Sequence, residues 1–408
     1  MDNNYNNFRE GTCLISVGID ISKEKSTICI VKPYGVILSS PFEILHTEKE
    51  LSELVTMLKR LDEEVRVVME ATGAYHLPVL SYLKENDLFV SVINPFVMKE
   101  YRCRGLRRCK TDKLDSKSIA NYGIDNWYHL DNYEFTKDTY QELKLLGRQY
   151  AHYMKMRIES VHALTHMLDY TMPGIKSLLN VSSESDKLSD FVEEYWHYDN
   201  ITKKSEKQFI KCYLKWAEKK GYHPNKLKAM KIYTIAKDGI PTLSSSTPST
   251  KMLVLEAVRV LREVGSTLKT ILSQMQVLAK TLQEYPIVRA MAGVGDILAS
   301  KLIAEIGDVR RFHSGKALIA YAGIDAPPYQ SGQFIGTNRH ISKRGSSLLR
   351  KIGYEAMRCV KTSKAEDDLV YQFIIKKETE GKPKKVAKMA GLNKFLRIYY
   401  ARVKEVYQ

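Results

Sequence analysis

Three runs near the start of the chain restrict its fold more than any other feature. Leu14–Ile21 (LISVGIDI), Ser26–Lys32 (STICIVK) and Gly35–Leu45 are rich in apolar and β-branched residues, and only KEK and PYG separate them. Such side chains suit a pleated surface, and joins this short predict three antiparallel neighbours. The period then changes. Leu51, Leu54, Val55, Leu58 and Leu61 form a helical stripe over Glu48–Leu61. Val65–Glu70 (VRVVME) reads as a short buried strand, Tyr75–Asn86 as a helix, and Leu88–Ile93 as a strand stopped by Asn94 and Pro95. Strands separated by helices pair in parallel, so the expected sheet is mixed.

This element order is that of the α/β RNase H-like fold, expected here over residues 1–135. Residues 136–284 read differently. Gln141–Met172 is one long helical pattern ended by Pro173 and Gly174, and Asp186–Lys220 and Met252–Leu282 read as further long helices around a polar loop, Leu243–Thr250. Leu253, Val260, Val264, Leu268, Leu272, Met275 and Leu278 mark an apolar face on the last of them. These helices can pack within their own domain or form a coiled coil between chains; the pattern allows both. Residues 285–408 are expected to be mostly helical. They start with a helix–turn–helix around Gly293-Val294-Gly295, pass through a Gly/Pro/Ser-rich loop, Gly323–Gly345, and end in basic helices.

Composition narrows the partners. The chain has 408 residues, of which 44% are hydrophobic and 27% charged, the balance of a globular multidomain protein. Its net charge of +16 favours a polyanion, because neutralising phosphates releases counterions. The six cysteines form no CxxC pair or zinc-finger spacing, which suits reduced thiols. The N-terminal residues lack a signal peptide's pattern and no apolar run suits a bilayer, so a cytoplasmic protein without membrane contact is expected.

The acids carry the chemistry. Asp20 and Glu70 each end an apolar strand, in VGIDIS and VVMEATG. Alone, each reads as a strand-end turn residue. Asp112 and Asp115 stand i, i+3 on a predicted helix whose N-cap is Thr111, so they share a face. Four carboxylates from two strand ends and one helix turn suit a pair of hard divalent cations, Mg²⁺ or alternatively Mn²⁺, acting on a phosphodiester. Arg102, Arg104, Arg107, Arg108 and Lys110 precede the second acid pair and are placed to hold a nucleic-acid backbone. At Gly293 and Gly295, backbone N–H groups facing a phosphate, helped by Lys301, Arg310 and Arg311, compete with a plain helical hairpin.

Beyond these readings, GIDISKEKS, MEATGAYHLPVLSYL, VINP and KTDKLDSKSIA resemble the N-terminal domain of the DEDD transposases of bacterial insertion sequences, which is RuvC-like. The match carries the four acids in order. It departs at Ser116, where the family often has alanine. MAGVGDILASKLIAEIGDVRRFHSGKALIAYAGIDAPPYQSG, followed by ISKRGSSLLRK, resembles the C-terminal transposase domain of the same family. Taken by itself, Ser331 is a turn residue. The resemblance implies that it is the nucleophile that attacks the scissile phosphate and holds a phosphoserine link, beside the basic residues Arg339, His340, Lys343, Arg344 and Arg350. It also implies donor and target DNA as partners, a bridge RNA that pairs with both, a homodimer or homotetramer with a composite site, and a bacterial, nucleoid-associated location. The readings set against this DNA transposase are a RuvC-like junction-resolving nuclease that uses water, and an inactive nucleic-acid-binding protein.

Overall fold

A computed structural model describes residues 14–102, 111–134, 138–179, 187–326 and 340–408, with 330–331 and 334–335 described in backbone alone. The chain divides into two compact units, Met1–Phe135 and Thr136–Gln408.

The first unit is built on a five-stranded sheet in the order β3-β2-β1-β4-β5. The strands are β1 (Leu14–Ile21), β2 (Lys25–Val31), β3 (Ile37–Leu45), β4 (Glu64–Glu70) and β5 (Phe89–Ile93). β2 pairs antiparallel with β1 and β3, while β1–β4 and β4–β5 are parallel. This is the mixed RNase H-like sheet expected from the element order. Helix α1 (Glu48–Lys59) starts on Thr47, whose side chain accepts from Glu50 N, and α2 (His76–Glu85) follows β4.

Alternation along β1 assigns its two faces. Ile15, Val17, Ile19 and Ile21 point into a core closed by Leu51, Leu54 and Leu58 of α1 and Val79, Leu80 and Leu83 of α2. Ser16, Gly18 and Asp20 face the other way, toward α4 (Asp112–Asp125). There the helix lies directly on the strand: a Cβ at Gly18 would sit 2.2 Å from Ala120 N and 2.3 Å from Ser116 O, and one at Gly123 would sit 2.1 Å from Ser16 Oγ. Ser116, where the resemblance has alanine, is fully buried at this contact, which accepts only a small residue. One helix went unforeseen. α3 (Pro95–Arg102) begins at the Asn94-Pro95 pair read only as a strand stop; Asn94 Oδ1 accepts from Phe96 N, and proline suits a first helical position.

The second unit is organised around two long helices, α5 (Asp138–Thr171) and α10 (Pro248–Lys280). They run antiparallel within the chain. Leu143 shares one apolar cluster with Met275 and Ala279, while Leu164 and Leu168 share another with Val254, Val258 and Leu261. The first cluster is completed by α11 (Tyr285–Arg289), α12 (Asp296–Ile306), α13 (Gly315–Ala322), α14 (Ser347–Ser363), α15 (Leu369–Thr379) and α16 (Lys384–Glu405).

The second is completed by four short helices, the first three of them where one long helix was expected over Asp186–Lys220. They are α6 (Lys187–Glu194), α7 (Asp199–Thr202), α8 (Glu206–Lys219) and α9 (Lys226–Asp238). Two interactions break the helix, one tertiary and one local. Tyr198 docks on the end of α5, donating from its hydroxyl to Pro173 O at 2.6 Å. Ser205 then restarts the chain with a capping box to Gln208. On α10 the buried stripe is Val254, Val258, Leu261, Val264 and Leu268, so Leu253 and Val260, expected on that stripe, are exposed. A two-residue strand, β6 (Gln330–Ser331), pairs with β7 (Phe334–Ile335).

Gly18→Ala is expected to cost about 3 kcal/mol, because backbone atoms of α4 cannot yield to the added methyl group. Gly265→Ala, mid-helix in α10 with nothing within 4 Å of a built Cβ, should instead stabilise by about 0.5–1 kcal/mol. Urea denaturation of the two variants against wild type checks both signs.

Candidate active site

Register brings the first two acids together. β1 and β4 are parallel with Ile19 opposite Met69, so Asp20 and Glu70 occupy the next positions at the same end of adjacent strands. The α4 contact brings the other two. Gly123 lies over Ser16 and the Ser116–Ala120 turn over Gly18, so the start of the helix, with Asp112 and Asp115, extends toward Asp20. Thr111 caps that helix, accepting from Leu114 N at 3.3 Å, and both aspartates stand in its first turn, where the helix dipole favours negative charge.

The electrostatics record the convergence. Asp20 is pushed up to about 6, first by burial, then by the charges of Asp115, Asp112 and Glu70, while Arg102 opposes them.

Arg102 at the end of α3 supplies a cation. Its Nη2 donates to Glu70 Oε2 at 2.8 Å, and its Nε lies 3.3 Å from Asp115 Oδ1. All three side chains are largely withdrawn from solvent, Asp115 to 9% exposure. Among the described residues, no three His, Cys, Asp or Glu side chains are grouped closely enough to hold a metal ion. The donor set, carboxylate oxygens alone, nonetheless suits a hard divalent cation, provided Arg102 yields its place.

The other expected residues divide by what they touch. Arg104, Arg107, Arg108, Lys110 and Arg339 lie outside the described residues, and Ser331 is described in backbone only, opposite Phe334. Gly293 has φ +72, and a Cβ there would sit 2.5 Å from Val360 N, so it lets α14 approach closely. Gly295 is open and caps α12, whose first-turn Asp296 already receives Tyr285 Oη and Arg289 Nε at 2.8 Å. Lys301 Nζ lies over the Tyr150 ring at 4.8 Å and 3.7 Å from Glu355. Arg350 Nη1 donates to Ala322 O and Gly345 O, holding the loop before α14. Lys343 and Arg344 are exposed beside it. Tyr101 and Tyr122 pack edge to face at 5.2 Å.

The sequence reading missed Lys144 and Arg148. They stand i, i+4 on α5 beside Gly147, whose built Cβ is 3.3 Å from Ala304 of α12. Burial, then Arg311 and Arg148, hold Lys144 below the usual lysine range. The i, i+4 spacing of two cations was the available signal, but only the packing of α5 on α12 adds Arg311 from a distant part of the chain.

A family model for DEDD transposases of the IS110 type, described as a transposase, matches residues 17–173, and another, described as transposase of the IS116/IS110/IS902 family, matches residues 285–372. A pilin gene-inverting protein of Moraxella lacunata is 23% identical over 394 residues, 95% of each chain. An uncharacterized protein of insertion element IS116 from Streptomyces clavuligerus is 21% identical over 90% of this chain and 89% of its own. Among solved structures, T. thermophilus RuvC in complex with a Holliday junction substrate covers 28% of this chain and 96% of its own, with 13% identity and a TM-score of 0.21. The two family models follow one another in chain order, span more than half of the protein between them, and include all four acids and Ser331; the chain belongs to the IS116/IS110/IS902 family of insertion-sequence transposases.

Proposed function

We propose that this transposase cuts and rejoins DNA strands by transesterification, with Asp20, Glu70, Asp112 and Asp115 as metal ligands and Ser331 as the nucleophile. The observation that supports the reading is geometric: β1–β4 register puts Asp20 and Glu70 at the same end of adjacent strands, and Arg102 ties Glu70 to Asp115 at the start of α4. Divalent ions of the Mg²⁺ type, held by these carboxylates, would supply Lewis-acid stabilisation of the charge that develops on the phosphoryl oxygens. The Ser331 hydroxyl loses its proton and its Oγ bonds to phosphorus as the bond to the leaving deoxyribose oxygen breaks. That oxygen takes up a proton, and a phosphoserine link conserves the phosphodiester energy for rejoining. Exposed Lys343 and Arg344, before α14, present cations suited to a DNA backbone. The division of residues 1–135, 136–284 and 285–408 into catalytic, helical spacer and nucleophile-bearing parts belongs to the same proposal. So does assembly as a homodimer or homotetramer.

A net charge of +16 accommodates RNA together with DNA, and we extend the reading to guidance by a structured RNA encoded beside the element. Sequencing the RNA that co-purifies with the full chain tests this. A discrete structured species is expected, and random cellular RNA alone would remove guidance from the proposal.

For the chemistry, Ser331→Ala is expected to abolish the covalent protein–DNA adduct seen on denaturing gels. Asp20→Asn and Asp115→Asn should lower strand cleavage by at least about 10³-fold, the scale of losing an electrostatic element of the transition state. Continued cleavage by Ser331→Ala without an adduct would make water the nucleophile.

Asp20 also predicts a pH dependence. Its folded pKa is raised, so in EDTA the wild type loses this group's favourable contribution as pH rises from about 4 to about 6. Asp20→Asn should therefore be more stable than wild type above pH 6, by about 1 kcal/mol after allowing for solvent at the site, with the difference closing toward pH 4. Thermal melts across that range read it directly.

A further inference from the structure

The position of Arg102 is unlike that of a phosphate-holding arginine. It is the last residue of α3, and its guanidinium turns inward to join Glu70 Oε2 at 2.8 Å and approach Asp115 Oδ1 at 3.3 Å. Its Nε is buried and makes no hydrogen bond of good geometry. The bridged carboxylates come from different elements, the end of β4 and the first turn of α4. Arg102 takes one oxygen of each carboxylate, Glu70 Oε2 and Asp115 Oδ1, so a divalent ion drawn to the same two groups meets a like charge at hydrogen-bonding distance from its own ligands.

We propose that Arg102 is a stand-in cation: it pins Glu70 to Asp115 while no metal is bound and must leave for a divalent ion to enter, so metal loading and release of this arginine are one exchange. The inference rests on the metal-site reading above. The bridge limits repulsion within the acid cluster without filling the cluster's capacity for charge, since one guanidinium faces Asp20, Glu70 and Asp115 together. On leaving, Arg102 joins the basic segment Arg104, Arg107, Arg108 and Lys110 that follows it in sequence, where a phosphate backbone is its natural counterion. Coupling of this kind is reciprocal, so a polyanion that draws Arg102 outward also tightens metal binding.

Calorimetric titration of the full chain with Mn²⁺ alone, without nucleic acid, tests the exchange in wild type, Arg102→Gln and Arg102→Lys. Glutamine removes the competing cation, and Mn²⁺ affinity is expected to rise about 5- to 100-fold, the usual range for coupled sites. Lysine keeps the charge but not the two-armed fork, and should lie between the two. In EDTA, Arg102→Gln should melt below wild type, and saturating Mn²⁺ should close the gap. If Arg102→Gln unfolds in EDTA, recovery of the fold on adding Mn²⁺ gives the same support. Glutamine binding Mn²⁺ no more tightly than wild type overturns the exchange while leaving the metal reading in place. Lysine matching wild type overturns it too, because simple charge repulsion would then suffice. Absence of Mn²⁺ binding in wild type and both variants removes the metal reading and the exchange with it.

Discussion

The seating of α4 on β1 at Gly18 governs the first unit. With no side chain at Gly18, helix backbone meets strand backbone, and the spacing between Ser116 and Gly123 sets the line along which the helix runs. That line carries the capped start of α4 toward the ends of β1 and β4, so a packing contact on one side of the sheet decides where two of the four acids come to rest. The opposite face does the conventional work of a core, with four β1 side chains buried against α1 and α2. One strand thus buries its odd-numbered side chains in the core and turns its even-numbered ones, Asp20 among them, toward α4, and a one-residue slip in register would exchange the two.

Gathering acids has a physical cost, and the structure shows how part of it is met. Burial and three like charges displace Asp20, while a guanidinium ties two of its neighbours together. The helix dipole at the start of α4 offsets some of the charge on Asp112 and Asp115.

In the second unit the same residue types act locally. Arg350 and Arg311 have the charge for nucleic acid, but both turn guanidinium nitrogens to backbone carbonyls, Arg350 to Ala322 and Gly345 and Arg311 to Ile306. Gly293, read as making room for a phosphate, makes room for α14. A basic or glycine-rich motif therefore identifies a capacity, and its neighbours in the fold decide how that capacity is used. The apolar residues of α10 teach the same lesson. Leu253 and Val260 continue an apolar pattern in sequence, yet α5 covers the adjacent stripe and leaves these two exposed.

The sequence by itself determined the five strands of the first unit and its helices α1, α2 and α4, though not α3, because β-branched runs, a helical stripe and an N-cap threonine act through near neighbours. It also determined the four acids as strand-end and first-turn residues, since that placement follows from local pattern and from the resemblance. Only tertiary structure decided that Asp20 and Glu70 stand side by side, that α4 brings Asp112 and Asp115 toward them, and that Arg102 lies between two of the acids rather than outside the cluster. It likewise broke the helix expected over Asp186–Lys220, where Tyr198 reaches back to Pro173. In each case the deciding contact joins residues from different parts of the chain. Local propensity carries no information about such a partner; register, packing clearance and the pairing of buried charge do.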